Sequence, residues 1–289
     1  MSNPNIVAVV TDSTHSLPRP MLERWGIEQV SLYVGWGGDL RPEREYEDLD
    51  AFYAKLSESD DLPVTSQPSV GDFLAVFEPI AAAGRDIVSI HIASGLSGTC
   101  ESGREAARVV AEQHSVRVEI VDGQSGAGGL GLQVVAAARA AEEGADADAV
   151  VAAVARARAS LDIWFALDTL EYLRRGGRVG AAQALVGSAL KIKPILTFGA
   201  EVVPVGRVRT RRRAFERMVA YLHELHDRGA TDWIVQHAQA YEDAERLAAE
   251  GRAIFGTEPL FCTQVGPVLG THLGSGMLVG GMGSSGSSK

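Results

Sequence analysis

Short runs of aliphatic and β-branched residues alternate along this chain with longer stretches in which apolar residues recur every three or four positions. Ile6–Val10 reads as a buried strand closed by Thr11-Asp12-Ser13, and Gln29–Val34 as a second strand. Helical spacing follows over Asp48–Leu56 and Val70–Ala82, then a strand over Ile87–Ile92, a helix over Gly98–Glu112 and a strand over Val116–Val121. Leu130–Glu142 is a helix of small apolar residues. Asp146–Ala159 is another, with acidic residues in its first turn and arginines near its end, as the helix dipole favours. After Ser160 the alternation restarts with a strand over Ile163–Leu167 and a short helix over Ala181–Ala189. A hairpin of Pro194–Phe198 and Glu201–Val205 then turns across Gly199-Ala200. Beyond Thr210 a helix places Phe215, Met218, Val219, Leu222 and Leu225 on one face. Asp232–Gln236, Glu242–Ile254 and Glu258–Thr263 continue strand, helix, strand.

Strands separated by helices predict an α/β protein with mostly parallel sheets. The restart near residue 160 divides it into an N-terminal α/β domain (1–160), a C-terminal α/β domain (161–282) and a flexible tail (283–289). The Gly/Ser-rich stretch from Gly280 onward is expected to be frayed.

At 46% hydrophobic and 22% charged residues the chain can build a sizeable core, which excludes general disorder. Its net charge of −10 argues against a protein that coats nucleic acid. Cys100 and Cys262 stand far apart without a second thiol or histidine at ligand spacing, so neither a disulfide framework nor a metal site is expected. No run approaches the roughly 18 apolar residues of a membrane span, and the N-terminus lacks the basic region of a signal peptide. A cytoplasmic location is expected.

Several motifs invite a chemical reading. Gly126-Ala127-Gly128-Gly129-Leu130-Gly131 matches GxGxxG, but the following helix runs into a second helix rather than into a strand ending in an acid. A close-packed glycine turn is the better reading. Gly123-Gln124-Ser125-Gly126-Ala127 falls one residue short of a nucleophile elbow. A serine hydrolase using Ser125 or Ser97 with His272 is therefore the alternative function. Hydroxyl clusters recur at Thr11–Thr14, Thr65–Ser69 and Ser94–Thr99. Each can cap a helix, and each can also hold a small anion with hydroxyls and backbone N–H groups. Arg174, Arg175 and Arg178 crowd one turn and Arg207–Arg213 another, as solvated faces or as a dock for a phosphorylated or acidic partner. His272 stands among glycines on what is expected to be a loop.

In order along the chain, VTDST at 10–14, TSQPS at 65–69, SIHIASGLSGT at 89–99, DTLEYLRRGGR at 168–178, KPIL at 193–196 and GTHLGSG at 270–276 resemble the DegV family of bacterial fatty-acid-binding proteins. The resemblance implies two α/β domains with a lipid site between them. It implies one long-chain fatty acid, of roughly 14 to 18 carbons at ~0.8 kcal/mol per buried CH₂, as ligand, and no cofactor. By position it assigns the carboxylate to Thr65, Ser97, Gly98 and His272, with Ser94, Thr99, Arg174 and Arg175 supporting the head-group region. It assigns Arg209 to docking a separate cytoplasmic fatty acid kinase, which would make the acyl phosphate. No nucleic acid partner is implied, and transient membrane contact is compatible with the cargo. The chain itself contains no GxxxxGK[ST], the loop that cradles ATP phosphates. Ala93-Ser94, Gly274-Ser275-Gly276 and Gly123 depart from the usual family pattern.

Overall fold

The computed structural model describes residues 7–185 and 192–283. In chain order its strands are β1 (Val7–Asp12), β2 (Glu28–Val30), β3 (Tyr33–Gly35), β4 (Arg41–Pro42), β5 (Val64–Ser66), β6 (Asp86–His91), β7 (Val118–Asp122), β8 (Asp162–Leu167), β9 (Lys193–Phe198), β10 (Val202–Val208), β11 (Ala230–Ala238), β12 (Phe261–Gln264) and β13 (Gly276–Gly283). Its helices are α1 (Arg19–Trp25), α2 (Leu49–Glu58), α3 (Val70–Ala82), α4 (Thr99–Gln113), α5 (Ala127–Glu142), α6 (Ala147–Ser160), α7 (Glu171–Arg175), α8 (Arg211–Asp227), α9 (Tyr241–Phe255) and α10 (Pro267–Leu273). Asp48, Ser69, Asp146 and Thr210 each cap the helix that follows, and Ser69 and Asp72 form a reciprocal capping box.

Two α/β domains are built from these elements. The first sheet runs β2-β1-β6-β7, all parallel, with its topological switch between β1 and β6. The second runs β10-β9-β8-β13-β11-β12. Alternation along β1 sends Val7 and Val9 into a core with α5 and α6, and Ala8 and Val10 into one with α3 and α4. Along β11, Ile234 joins the α5 side, whereas Trp233 and Val235 face α8 and α9. Covered on both faces, these strands read as unbroken apolar runs. The pair α5–α6 is the shared middle layer, packed against β6 and β13 of the two sheets.

The sheets are less parallel than the alternation predicts. Every pairing in the second sheet is antiparallel except β11 with β12. Periodicity reveals that a segment is a strand, not which neighbour it joins or in which direction. Gln29–Val34 is not one strand but two, β2 and β3, in different sheets. β3 belongs to a small antiparallel sheet, β4-β3-β5, which carries Thr65.

The expected fraying from Gly280 is overturned for residues 280–283, which end β13 in the middle of the second sheet. Residues 284–289 of the expected tail lie outside the described residues. Glycine is required in β13 by close approach. A Cβ on Gly280 would stand 2.6 Å from Ile163 Cγ1, and one on Gly276 2.5 Å from the Ala166 carbonyl. The short helix expected over 181–189 is a 3-10 turn, Gly180–Leu185, with its remainder outside the described residues. The GxGxxG glycines open α5, where a Cβ on Gly128 would stand 2.0 Å from Ile234 Cδ1. They serve helix–sheet packing.

Candidate functional site

Between the two sheets' ends lies a cavity of about 220 Å³. Its apolar wall comes from both domains, with Leu32, Ile92 and Leu96 on one side and Leu173, Phe198 and Leu269 on the other. Thr65, Gln67, Ser97, Arg178 and His272 supply its polar groups.

Each of these side chains is placed by a local feature. Thr65 lies on β5, held to β3 opposite Val34. Ser97 ends the turn after β6, and its hydroxyl lies 2.8 Å from that of the fully buried Thr99, the first residue of α4. Gly98 caps α4, and a Cβ there would meet Gln67 Oε1 at 2.2 Å, so the glycine lets Gln67 close against the helix start. His272 sits in the last turn of α10 rather than on a loop, and Gly274 ends that helix with φ 65°. Its Nε2 is 2.8 Å from Thr65 Oγ1 across a sequence separation of 207 residues. The other ring nitrogen, Nδ1, is buried without a hydrogen-bond partner. It presses on Gly176, where a Cβ would stand 2.2 Å away.

Arg178 binds the two sides together, its Nε donating to the Leu96 carbonyl at 3.2 Å and its Nη1 to that of Gly176 at 2.7 Å. Burial, reinforced by the Arg178 charge, pushes the His272 pKa down to about 4. The imidazole is therefore neutral at physiological pH. Two hydroxyls, a neutral imidazole and a guanidinium around an apolar space suit an anionic group attached to an apolar body.

Thr65, Ser97 and His272 thus come together at the cavity, brought from β5, the turn before α4 and α10, while Gly98 and Thr99 stand behind Ser97 at the α4 start without lining it. Ser94 does not line the cavity; it is exposed, and its backbone N–H donates to Asp122. Arg174 pairs with Glu171 at 2.7 Å and Arg175 donates to the Asp60 carbonyl, so neither lines it either. The arginine that does is Arg178, three residues on, beyond the two glycines that turn the chain. Arg209 is exposed near the end of β10 and makes no hydrogen bond or ion pair among the described residues.

A hydrolytic arrangement is not assembled here. Ser97 bonds Thr99, His272 faces Thr65, and no carboxylate reaches His272 Nδ1 among the described residues. Ser125 is buried away from the cavity lining. Sequence reading missed a second constellation, in which His91 links Ser89 (2.7 Å) to Asp12 (3.1 Å), all three wholly buried. The polar alternation of Ser89 and His91 inside an apolar strand was its only signal. Among the described residues no three His, Cys, Asp or Glu side chains group as metal ligands, and no helix is long and apolar enough to cross a membrane.

The model of the DegV family matches residues 6–280. A DegV domain-containing protein of Streptomyces coelicolor is 39% identical over 275 residues, covering 94% of this chain and 96% of that protein. Among solved structures, DegV of Bacillus subtilis, described as a fatty acid binding protein, superposes with a TM-score of 0.86 at 31% identity, covering 96% and 99% of the two chains. A DegV family protein from Thermus thermophilus, whose structure describes fatty acid binding, gives 0.84 at 30% identity with the same coverage.

Proposed function

The chain belongs to the DegV family, and from that membership we propose that it binds one long-chain fatty acid with its tail in the apolar cavity. The carboxylate is held by Thr65, Ser97, the α4 start at Gly98 and Thr99, and His272, with Arg178 as the nearby positive charge. The observation that carries this reading is the joining of Thr65, His272 and Ser97 around one apolar space. The tail gains roughly 0.8 kcal/mol per buried CH₂, offset by the cost of fixing the chain. A few polar contacts are then enough to orient it.

Mass spectrometry of the molecules released on denaturing the purified protein tests this directly. A near-stoichiometric fatty acid, of the 14–18-carbon class or not, is the expected result. Thr65→Val and Ser97→Ala each remove a bond to a charged group, of about 1.5–3 kcal/mol, so retention falls roughly tenfold or more. A protein that releases no lipid and takes up none when offered it would overturn the reading.

The proposal extends to a partner, a separate fatty acid kinase to which the carboxylate is presented in the cytoplasm. Support comes from the charge left available at the far end of β10, the strand whose first residue, Val202, lines the cavity. Arg211 pairs with Asp243, and Arg212 and Arg213 both pair with Glu216, whereas Arg207 and Arg209 are exposed without partners among the described residues. Arg209→Glu is expected to leave fatty-acid content unchanged and to slow acyl-phosphate formation by such a kinase at least about tenfold. A normal rate would remove Arg209 from the docking surface.

A further inference from the structure

Each of the two hydroxyls that line the cavity has a second polar group behind it. Thr65 Oγ1 is backed by His272 Nε2 at 2.8 Å, and Ser97 Oγ by the Thr99 hydroxyl at 2.8 Å. Thr99 is fully buried and does not line the cavity, so it can act on a ligand only through Ser97. Either contact can run in two directions, and a hydroxyl has one proton to give. If Thr65 and Ser97 donate backward, neither has a proton left for a ligand. If they accept from behind, both protons turn into the cavity.

The surroundings of His272 decide the first contact. A neutral imidazole carries its proton on Nδ1 or on Nε2. Nδ1 is buried and has no hydrogen-bond partner. It lies against the bare Cα of Gly176, where a Cβ would stand 2.2 Å away. The carbonyls of that turn are engaged, since Tyr172 accepts the Gly176 N–H at 2.9 Å and Gly176 accepts Arg178 Nη1 at 2.7 Å. A proton on Nδ1 would be an orphaned buried donor in the field of the Arg178 charge, which already acts against a positive imidazole. A bare lone pair is the cheaper occupant of that position. The proton then sits on Nε2 and meets Thr65 Oγ1, which leaves the Thr65 hydroxyl free to donate forward.

The same count applies to Thr99. Ser97 Oγ is the hydrogen-bond partner of its hydroxyl among the described residues. Donating to Ser97 satisfies the Thr99 proton, whereas accepting from Ser97 would strand that proton in the interior.

We propose that His272 and Thr99 are positioning residues, His272 as the Nε2–H tautomer donating to Thr65 and Thr99 donating to Ser97, so that two hydroxyl protons are turned toward an acceptor-only head group. This relay rests on the fatty-acid reading and assigns roles within it. A carboxylate has no proton to give and accepts from both hydroxyls, and His272 and Thr99 serve it through Thr65 and Ser97.

The first test is made on the wild-type full chain, delipidated and at neutral pH. Long-range ¹H–¹⁵N spectra are expected to show His272 with Nε2 protonated and Nδ1 bare. The second test is binding of tetradecanoate. His272→Asn, whose amide stands where Nδ1 stood, is expected to bind at least about tenfold more weakly, and His272→Gln, whose amide N–H reaches the place of Nε2, to recover most of that loss. Thr99→Val is expected to lose at least about tenfold and Thr99→Ser to recover it, although this side chain never touches the ligand. A wild-type chain that takes up no tetradecanoate would overturn the fatty-acid reading on which the relay rests. With binding present, a proton on Nδ1, equal binding by the Asn and Gln variants of His272, or undiminished binding by Thr99→Val would each overturn the relay alone. The tautomer is read on the wild type, so the relay stands or falls even where a variant does not fold.

Discussion

Replacing Asp12 by alanine is expected to lower the unfolding free energy by about 3–5 kcal/mol, as when one partner of a buried charged network is removed. Asp12 ends β1 and is wholly buried. Its Oδ1 accepts from the Thr14 N–H at 2.9 Å and the Thr14 hydroxyl at 2.6 Å. Its Oδ2 accepts from the Ile92 N–H at 2.8 Å and faces His91 Nδ1 at 3.1 Å. Burial alone would push this carboxyl up, but His91, Thr14 and Ile92 together hold it below the usual carboxylate range. An ionised Asp12 only accepts, so His91 donates to it from Nδ1, with the Ser89 hydroxyl 2.7 Å from Nε2. Alanine would orphan all of these donors in a wholly buried site. Urea unfolding of the lipid-free protein measures the loss, and a change below about 1 kcal/mol would show that the network relaxes onto other partners. Because Ile92 opens the turn that leads to Ser97, the same variant should also retain less fatty acid.

Asp12 also illustrates what could be read from the sequence. The VTDST cluster was legible as a cap, and Asp12 does cap the turn Ser13–His15 through the Thr14 N–H. Its link to His91 depends on the parallel register of β1 on β6, which no local pattern encodes. The long helices and fully covered strands were legible because their periodicity is local. β4 and β5 were not, and β3 was merged with β2, since strands of two or three residues have no period to detect. β13 was missed for the opposite reason, because glycine fills it where apolar residues were sought. At the site, Thr65 and His272 meet from ends of the chain that only the family resemblance had joined. The same resemblance drew attention to Arg174 and Arg175, while cavity-facing Arg178 needed the geometry of the Gly176-Gly177 turn.

The stability of the protein is expected to fall as the pH drops from about 6.5, with Glu43 opposing the loss. Burial holds His15 and His272 at about 4 against an ordinary value of 6.5, and it lowers His237 in the same direction. The unfolded chain therefore binds more protons than the folded one between those values, and a histidine so held costs up to about 1.4 kcal/mol per pH unit as the medium acidifies. Glu43 has the reverse sign. Its folded value of about 7 lies above the ordinary 4.5, so the folded state gains on acidification through that window. Above pH 7 the same group withholds up to about 3 kcal/mol, because its charge is buried without a counter-ion. Glu43→Gln keeps the bond that Oε1 accepts from the Val268 N–H at 2.8 Å and removes the titration. It should be more stable than wild type above neutrality, yet lose stability more steeply below pH 6.5, so the two profiles converge toward acid. Urea unfolding at constant ionic strength across this range would follow both. Parallel profiles would mean that Glu43 is already ionised beside a cation, and would remove burial as the cause of its raised pKa.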